Sequence, residues 1–213
     1  MSTSCVLKFW VVFLVLASWS IRAQERDPAR ATADLLLTQE GVRQGIVLHI
    51  GDGALTPALL SHGVQVVRAL VPEDALLSEA RESIRGKGLY GPASVSVWRS
   101  SRLPFADDLV NVIVIDDASL LQQRDGAVAE CLRVLAPYGT AFLAGAGADK
   151  VARAFRMAGL ETHPVEGSDG AWLMGRKPFP AQMDEWPHYF HDSGHSNVST
   201  DYVVGRATGL RWI

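Results

Sequence analysis

The sequence predicts an α/β domain built on a doubly wound, mainly parallel sheet, and three observations carry that prediction. Short apolar runs, at Gly45 to Ile50, Gln65 to Val71 and Asn111 to Ile115, alternate with stretches of helical period. The run through Val112, Ile113, Val114 and Ile115 is apolar on both faces, as a strand covered on two sides must be. A glycine turn, Gly51-Asp52-Gly53, follows the first run directly, where such a sheet presents its carboxyl edge to a ligand.

The chain has 213 residues, 48% of them hydrophobic, enough to bury the core of one domain with appendages. A net charge of -3 supplies no basic face, which argues against a nucleic acid partner. The first residues differ in kind. Lys8 precedes the run Phe9 to Ala17, and small and polar residues follow near Ile21-Arg22-Ala23. That is the pattern of a signal peptide over residues 1–23, cleaved after Ala23, and it predicts export to the periplasm or cell surface. The apolar core is shorter than the roughly 20 residues that span a bilayer, so the only membrane association expected is a signal anchor from Cys5 to Ile21. Cleavage removes Cys5 and leaves Cys131 as the single cysteine, so stability must come from packing without an intramolecular disulfide.

Taken in order, Pro28 to Glu40 reads as a helix with Asp27 as N-cap, proline at its first position, Ala33, Leu36 and Leu37 on one face, and Gly41 as its stop. After the first strand and its turn, Leu55, Ala58, Leu59 and Leu60 mark an amphipathic stretch. The second strand leads through Pro72-Glu73-Asp74 into a helix carrying Ala75, Leu76, Leu77, Ala80 and Ile84, which Gly86 and Gly88 end. Ser94 to Trp98 is a third strand and Asn111 to Ile115 a fourth, with Asp116 and Asp117 at its carboxyl end. Val128, Cys131, Leu132 and Leu135 have helical spacing within Asp125 to Leu135, and Cys131 falls on that apolar face. Pro137-Tyr138-Gly139 reads as a turn into a fifth strand, Thr140 to Ala144. A helix from Lys150 to Ala158 and strands near Leu160 to Val165 and Ala171 to Gly175 complete the domain, residues 24–176.

Gly51 and Gly53 allow a ligand to approach the backbone at the start of a helix. A dinucleotide fingerprint would need a third glycine at position 56, where the chain has Thr56, so NAD is disfavoured. A more specific pattern lies further on. Glu130-Cys131-Leu132-Arg133-Val134-Leu135-Ala136-Pro137-Tyr138-Gly139 resembles the Glu-x-x-Arg-Val-Leu-x-Pro-x-Gly stretch of class I S-adenosylmethionine-dependent methyltransferases of the type 11-like group. Leu103-Pro104-Phe105 ahead of Val112-Ile113-Val114 resembles that family's Leu-Pro-Phe loop and fourth strand. With Val47 to Gly53 and Ala80-Arg81 in register, the resemblance covers roughly residues 30 to 176.

The resemblance implies the Rossmann-like class I methyltransferase fold, with S-adenosylmethionine as its small-molecule donor. The donor's amino acid part would lie over Gly51-Asp52-Gly53, its adenosine across the ends of strands two and three, and Asp116 beside the site. Three positions depart from the family pattern. His49 stands where the first motif usually has an acid, Val71 where an acid usually holds the ribose hydroxyls, and Arg99 or a neighbour where an aspartate often lies beside the adenine. Gly51, Asp52, Gly53, Val71, Arg99 and Asp116 are therefore the candidate donor-site positions. Glu73 and Asp74 offer a replacement acid, and their place at a helix start explains them equally well. His49 reads as a buried, hydrogen-bonded histidine more readily than as a base.

From Lys177 the composition shifts to prolines, aromatics and histidines. Asp184-Glu185-Trp186-Pro187-His188-Tyr189 through Leu210-Arg211-Trp212 resembles the opening of a quinoprotein-type (PQQ-like) β-propeller, so residues 177–213 are expected to be a linker and the start of such a propeller in a longer chain. His188, His191, Asp192 and His195 also have the donor atoms of a metal site, though the propeller reading gives no metal. Three function classes stay open: a methyltransferase with no residue assigned to chemistry, a non-catalytic Rossmann scaffold or docking module, and a metal-dependent site in the tail.

Overall fold

The apolar runs fold as central strands because both of their faces are covered. The structure, a computed structural model, describes residues 27–184 together with Gly194, Val198, Ser199 and Asp201. The leader, the four metal-type tail residues and Trp212 lie outside the described residues. Strands β1 (Ile46–Ile50), β2 (Val66–Val71), β3 (Ala93–Val97), β4 (Val110–Ile115), β5 (Leu135–Ala144), β6 (Glu161–Pro164) and β7 (Trp172–Arg176) form one sheet in the order β3-β2-β1-β4-β5-β7-β6. The pairs β3-β2, β2-β1, β1-β4 and β4-β5 are parallel, whereas β7 runs antiparallel between β5 and β6.

Successive side chains alternate between the two faces. Val47, Val67, Val112 and Val114 pack against helix α1 (Pro28–Leu37) and the single turn α2 (Thr56–Leu59). Ala69 and Val71 continue that side against helix α3 (Asp74–Gly86), through Ala80 and Ile84. Leu48, Ile50, Ile113, Ile115 and Leu143 point the other way, toward α5 (Ala127–Val134) and α6 (Ala148–Met157), and a further single turn, α4 (Ser119–Gln122), packs there through Leu121. The sheet is therefore doubly wound, and the crossover direction reverses between β1 and β4. In open α/β sheets that switch point is where the strand ends part and leave room for a ligand.

Two expectations near the N-terminal end of the domain change. The N-terminal helix starts where predicted, with Asp27 accepting from the Ala29 amide at 3.0 Å, but stops at Leu37, where Thr38 caps it. The stretch after the glycine turn makes only the four residues of α2, because His62 and Gly63 take positive φ and turn the chain toward β2. Among the described residues no helix is long and apolar enough to cross a membrane.

Candidate functional site

The β1 and β4 carboxyl ends lie side by side, with His49 opposite Val114 and Ile50 opposite Ile115. Each strand then turns sharply. Gly51 continues the β2 ladder by donating to the Leu70 carbonyl at 3.2 Å, and Asp116 donates its amide to the Ile50 carbonyl at 3.4 Å. Between the turns opens a cleft of about 360 Å³ lined by Gly51, Asp52, Pro72, Leu76, Asp116, Asp117 and Leu120.

Glycine is required at two points of the first turn. A Cβ on Gly51 would overlap the Asp116 carboxylate, whose Oδ1 lies directly over the Gly51 Cα. Gly53 has φ +94°, and a Cβ there would stand 2.7 Å from the Ala80 Cβ, so this glycine lets α3 approach the turn. Pro57, near the start of α2, has no amide hydrogen, and four residues build little dipole. The turn therefore offers a close backbone rather than a strong anion site.

Electrostatically the cleft is one-sided. Three carboxylates line it and no Lys or Arg does. Asp52 accepts from the Ala54 amide at 2.7 Å and Asp117 from the Ser119 amide at 2.9 Å, so each braces its own loop. Asp116 is held from inside the core. Its Oδ2 lies 3.0 Å from His49 Nε2, and His49 Nδ1 lies 2.8 Å from the Thr56 hydroxyl. His49 and Thr56 are both wholly buried, while the Asp116 side chain is 22% exposed. A carboxylate only accepts, so Nε2 carries hydrogen toward Asp116. In the neutral ring Nδ1 then accepts the Thr56 hydroxyl proton, which leaves both ring nitrogens bonded.

The candidate positions separate as follows. Gly51, Asp52 and Asp116 come together in the cleft, with Gly53 behind them. Val71 is fully buried, its Cγ1 within 3.6 Å of a Cβ built on Gly53, and its side chain lies under the turn rather than in the cleft. Arg99 is largely exposed, bonded to Asp74 at 2.6 Å, and does not line the cleft. That ion pair also occupies the Asp74 carboxylate.

Arg124 was not legible as a site residue. Its Nη2 donates to the carbonyls of Trp98 at 3.0 Å and Pro72 at 3.4 Å, and its guanidinium lies 4.6 Å from the Trp98 ring centroid. It thus bridges the carboxyl ends of β2 and β3, and the buried Nε atoms of Arg124 and Trp98 find no partner. No spacing in the sequence marks this, because Arg124 lies 26 and 52 residues from the groups it joins. Among the described residues no group of three or more His, Cys, Asp or Glu side chains is arranged to hold a metal ion.

Comparison with known proteins finds the same fold. A family model described as a methyltransferase domain matches residues 48–143. A protein of Methanococcus maripaludis assigned as a candidate S-adenosyl-L-methionine-dependent methyltransferase superposes with TM-score 0.58 and 17% identity, covering 76% of this chain and 90% of its own. A geranyl diphosphate methyltransferase in complex with S-adenosylmethionine gives TM-score 0.53 at 14% identity, over 71% and 85% of the two chains. The cyclase SpnF gives TM-score 0.54 at 17% identity, over 71% and 82%. No curated protein matches. The chain thus has the class I methyltransferase fold, and its residues 48–143 carry the methyltransferase-domain pattern.

Proposed function

We propose that this chain binds S-adenosylmethionine at the β1 and β4 carboxyl ends and serves as a methyltransferase-type domain. The observation that carries the reading is the charge of the cleft. Asp52, Asp116 and Asp117 surround a glycine floor with no cation among the lining residues, which repels the phosphates of a dinucleotide and suits a ligand bearing ammonium and sulfonium charges. The amino acid half of the donor fits: Asp116 meets its ammonium group, and Gly51 lets the main chain come close. The bound donor would supply an activated methyl group, and the protein's part in its transfer would be proximity and orientation.

Titration calorimetry of the full chain tests this. S-adenosylhomocysteine should bind in the micromolar range and NAD should give no heat, while Gly51→Val should abolish binding by displacing Asp116. Silence toward S-adenosylhomocysteine at millimolar concentration would sink the proposal.

A second reading, a Rossmann scaffold or docking module that no longer methylates, is supported by the nucleoside half. Val71 offers no carboxylate to ribose hydroxyls, and Arg124 spans the two strand ends across which an adenosine would lie. Losing a charged acceptor for a ribose hydroxyl removes about 1.5–3 kcal/mol. The same titration decides between the two.

Two further parts of the reading rest on sequence alone. Export rests on the Lys8 to Ala23 pattern, and the mature protein should begin at Gln24 by N-terminal sequencing. Fusion to a propeller rests on the Asp184 to Trp212 resemblance, and a stop codon directly after Ile213 would remove it.

A further inference from the structure

His49 is a polar side chain in the middle of a central strand, on the face shared with Val47, Val112 and Val114. Burying an imidazole there costs stability unless both ring nitrogens are bonded, and an apolar residue would fill the place without that demand. What the histidine adds is direction. The Asp116 carboxylate can only accept, which sets a hydrogen on Nε2, and the Thr56 hydroxyl at Nδ1 holds the ring so that this hydrogen points at Oδ2. With Oδ2 held, Oδ1 lies over the Gly51 Cα, where any side chain on residue 51 would expel it. Asp52 and Asp117 are braced only by their own loops, so Asp116 is the one cleft carboxylate anchored through the core.

We infer that His49 is a positioning residue for this site: with Thr56 behind it, it locks Asp116 across Gly51, so the carboxylate that meets the donor's ammonium group is fixed before the donor arrives. The inference rests on the donor reading above and adds how the charge is held. A fixed partner loses little side-chain freedom when a ligand arrives, which is how a preformed charge gains affinity. A histidine that only filled the core would affect all ligands alike, whereas one acting through Asp116 affects only ligands that carry the ammonium group.

The test uses the full chain and two probes, S-adenosylhomocysteine and 5′-methylthioadenosine, which shares the nucleoside and thioether but lacks the amino acid end. His49→Leu and Asp116→Asn should each weaken S-adenosylhomocysteine by roughly tenfold or more and leave 5′-methylthioadenosine within about twofold. The double variant should be no worse than Asp116→Asn alone, and His49→Gln, which keeps a side-chain N–H donor, should recover part of the loss. Equal weakening of both probes, weakening of neither, or additive losses would overturn the inference. Ring nitrogen NMR of the ligand-free protein supplies a readout that needs no ligand. A proton on Nε2 is expected, and a ring protonated only at Nδ1 would overturn the inference by itself. An intact Nε2–H in a protein that binds neither probe would instead overturn the donor reading, and the ammonium role with it.

Discussion

Burial of Cys131 among Ala127, Val134 and Leu135 strips its thiolate of solvent and pushes the thiol pKa up to about 12, with the neighbouring Glu130 charge adding to the rise. A thiol with an ordinary pKa of about 8.5 is partly ionised near pH 8, and this one is not. Iodoacetamide at that pH should therefore leave Cys131 unmodified in the native protein and alkylate it once guanidinium unfolds the chain. Native labelling at the rate of a free thiol would contradict the burial. The apolar spacing of Val128, Cys131, Leu132 and Leu135 made this residue readable as core from sequence. The cleft was readable for a similar reason, since Gly51, Asp52 and Asp116 all follow strand ends. His49 was readable as buried but its partners were not: Asp116 lies 67 residues away, and Thr56 reaches it from the first position of α2, beyond the glycine turn. Arg99 also follows a strand end, but its side chain turns to solvent and pairs with Asp74 on the neighbouring helix.

The Glu-x-x-Arg pattern that carries the family resemblance acts at the level of elements. Glu130 and Arg133 sit one turn apart on α5 and bond to each other, Nε to Oε1 at 2.8 Å and Nη2 to Oε2 at 2.6 Å. Glu130 also accepts the Leu103 amide at 2.8 Å, and Arg133 donates to the Leu103 and Phe105 carbonyls at 3.1 and 2.9 Å. The pair thus clamps the Leu-Pro-Phe loop that feeds β4, and none of these residues lines the cleft. Hydrogen bonding from Arg133 and from the Leu103 amide holds the Glu130 carboxyl at about 2, below its ordinary 4.5. Because the folded value is depressed, the stabilisation is present above pH 4.5 and drains away as pH falls toward 2. Glu130→Gln should cost about 1–3 kcal/mol at neutral pH by denaturant unfolding, and its gap from the parent should close across that window. A gap that stayed constant down to about pH 2 would show that the charge is not what matters. Strand β5 shows what element-level reading missed. Pro137-Tyr138-Gly139 looked like a turn, but the register slips between Val110–Leu135 and Val112–Thr140, and Tyr138 takes φ 61° within the slip. One strand therefore runs through all ten residues from Leu135, a bulge that residue preferences alone present as a break.

At the scale of the whole molecule, the alternation of strand and helix carried the parallel half of the sheet, because each helix must return the chain to the amino edge before the next strand. The last two strands follow no such rule. A short connection from β6 to β7 makes them antiparallel, and nothing in their residues says that β7 slots between β5 and β6. That placement has a physical consequence. Thr140 to Ala144 of β5 pair with Trp172 to Arg176, so β5 is an internal strand only because β7 covers it. Just beyond β7, Lys177 Nζ donates to Asp108 Oδ1 at 2.7 Å and to the carbonyls of Leu132 and Leu135 at 2.9 and 2.7 Å, and Phe179 stacks on Tyr138 with centroids 5.4 Å apart. A chain ending at Asp184 keeps all of these contacts and should unfold in one cooperative step by circular dichroism. A chain ending at Gly159 loses them together. It uncovers a flat apolar edge on β5, removes Leu160 and Met174 from the core, and strips Asp108 and two carbonyls of their shared ammonium. An uncovered apolar edge invites pairing with other chains, so the shorter form should collect in the insoluble fraction. A soluble, cooperatively folding chain ending at Gly159 would mean that the parallel half of the sheet is stable without its antiparallel flank.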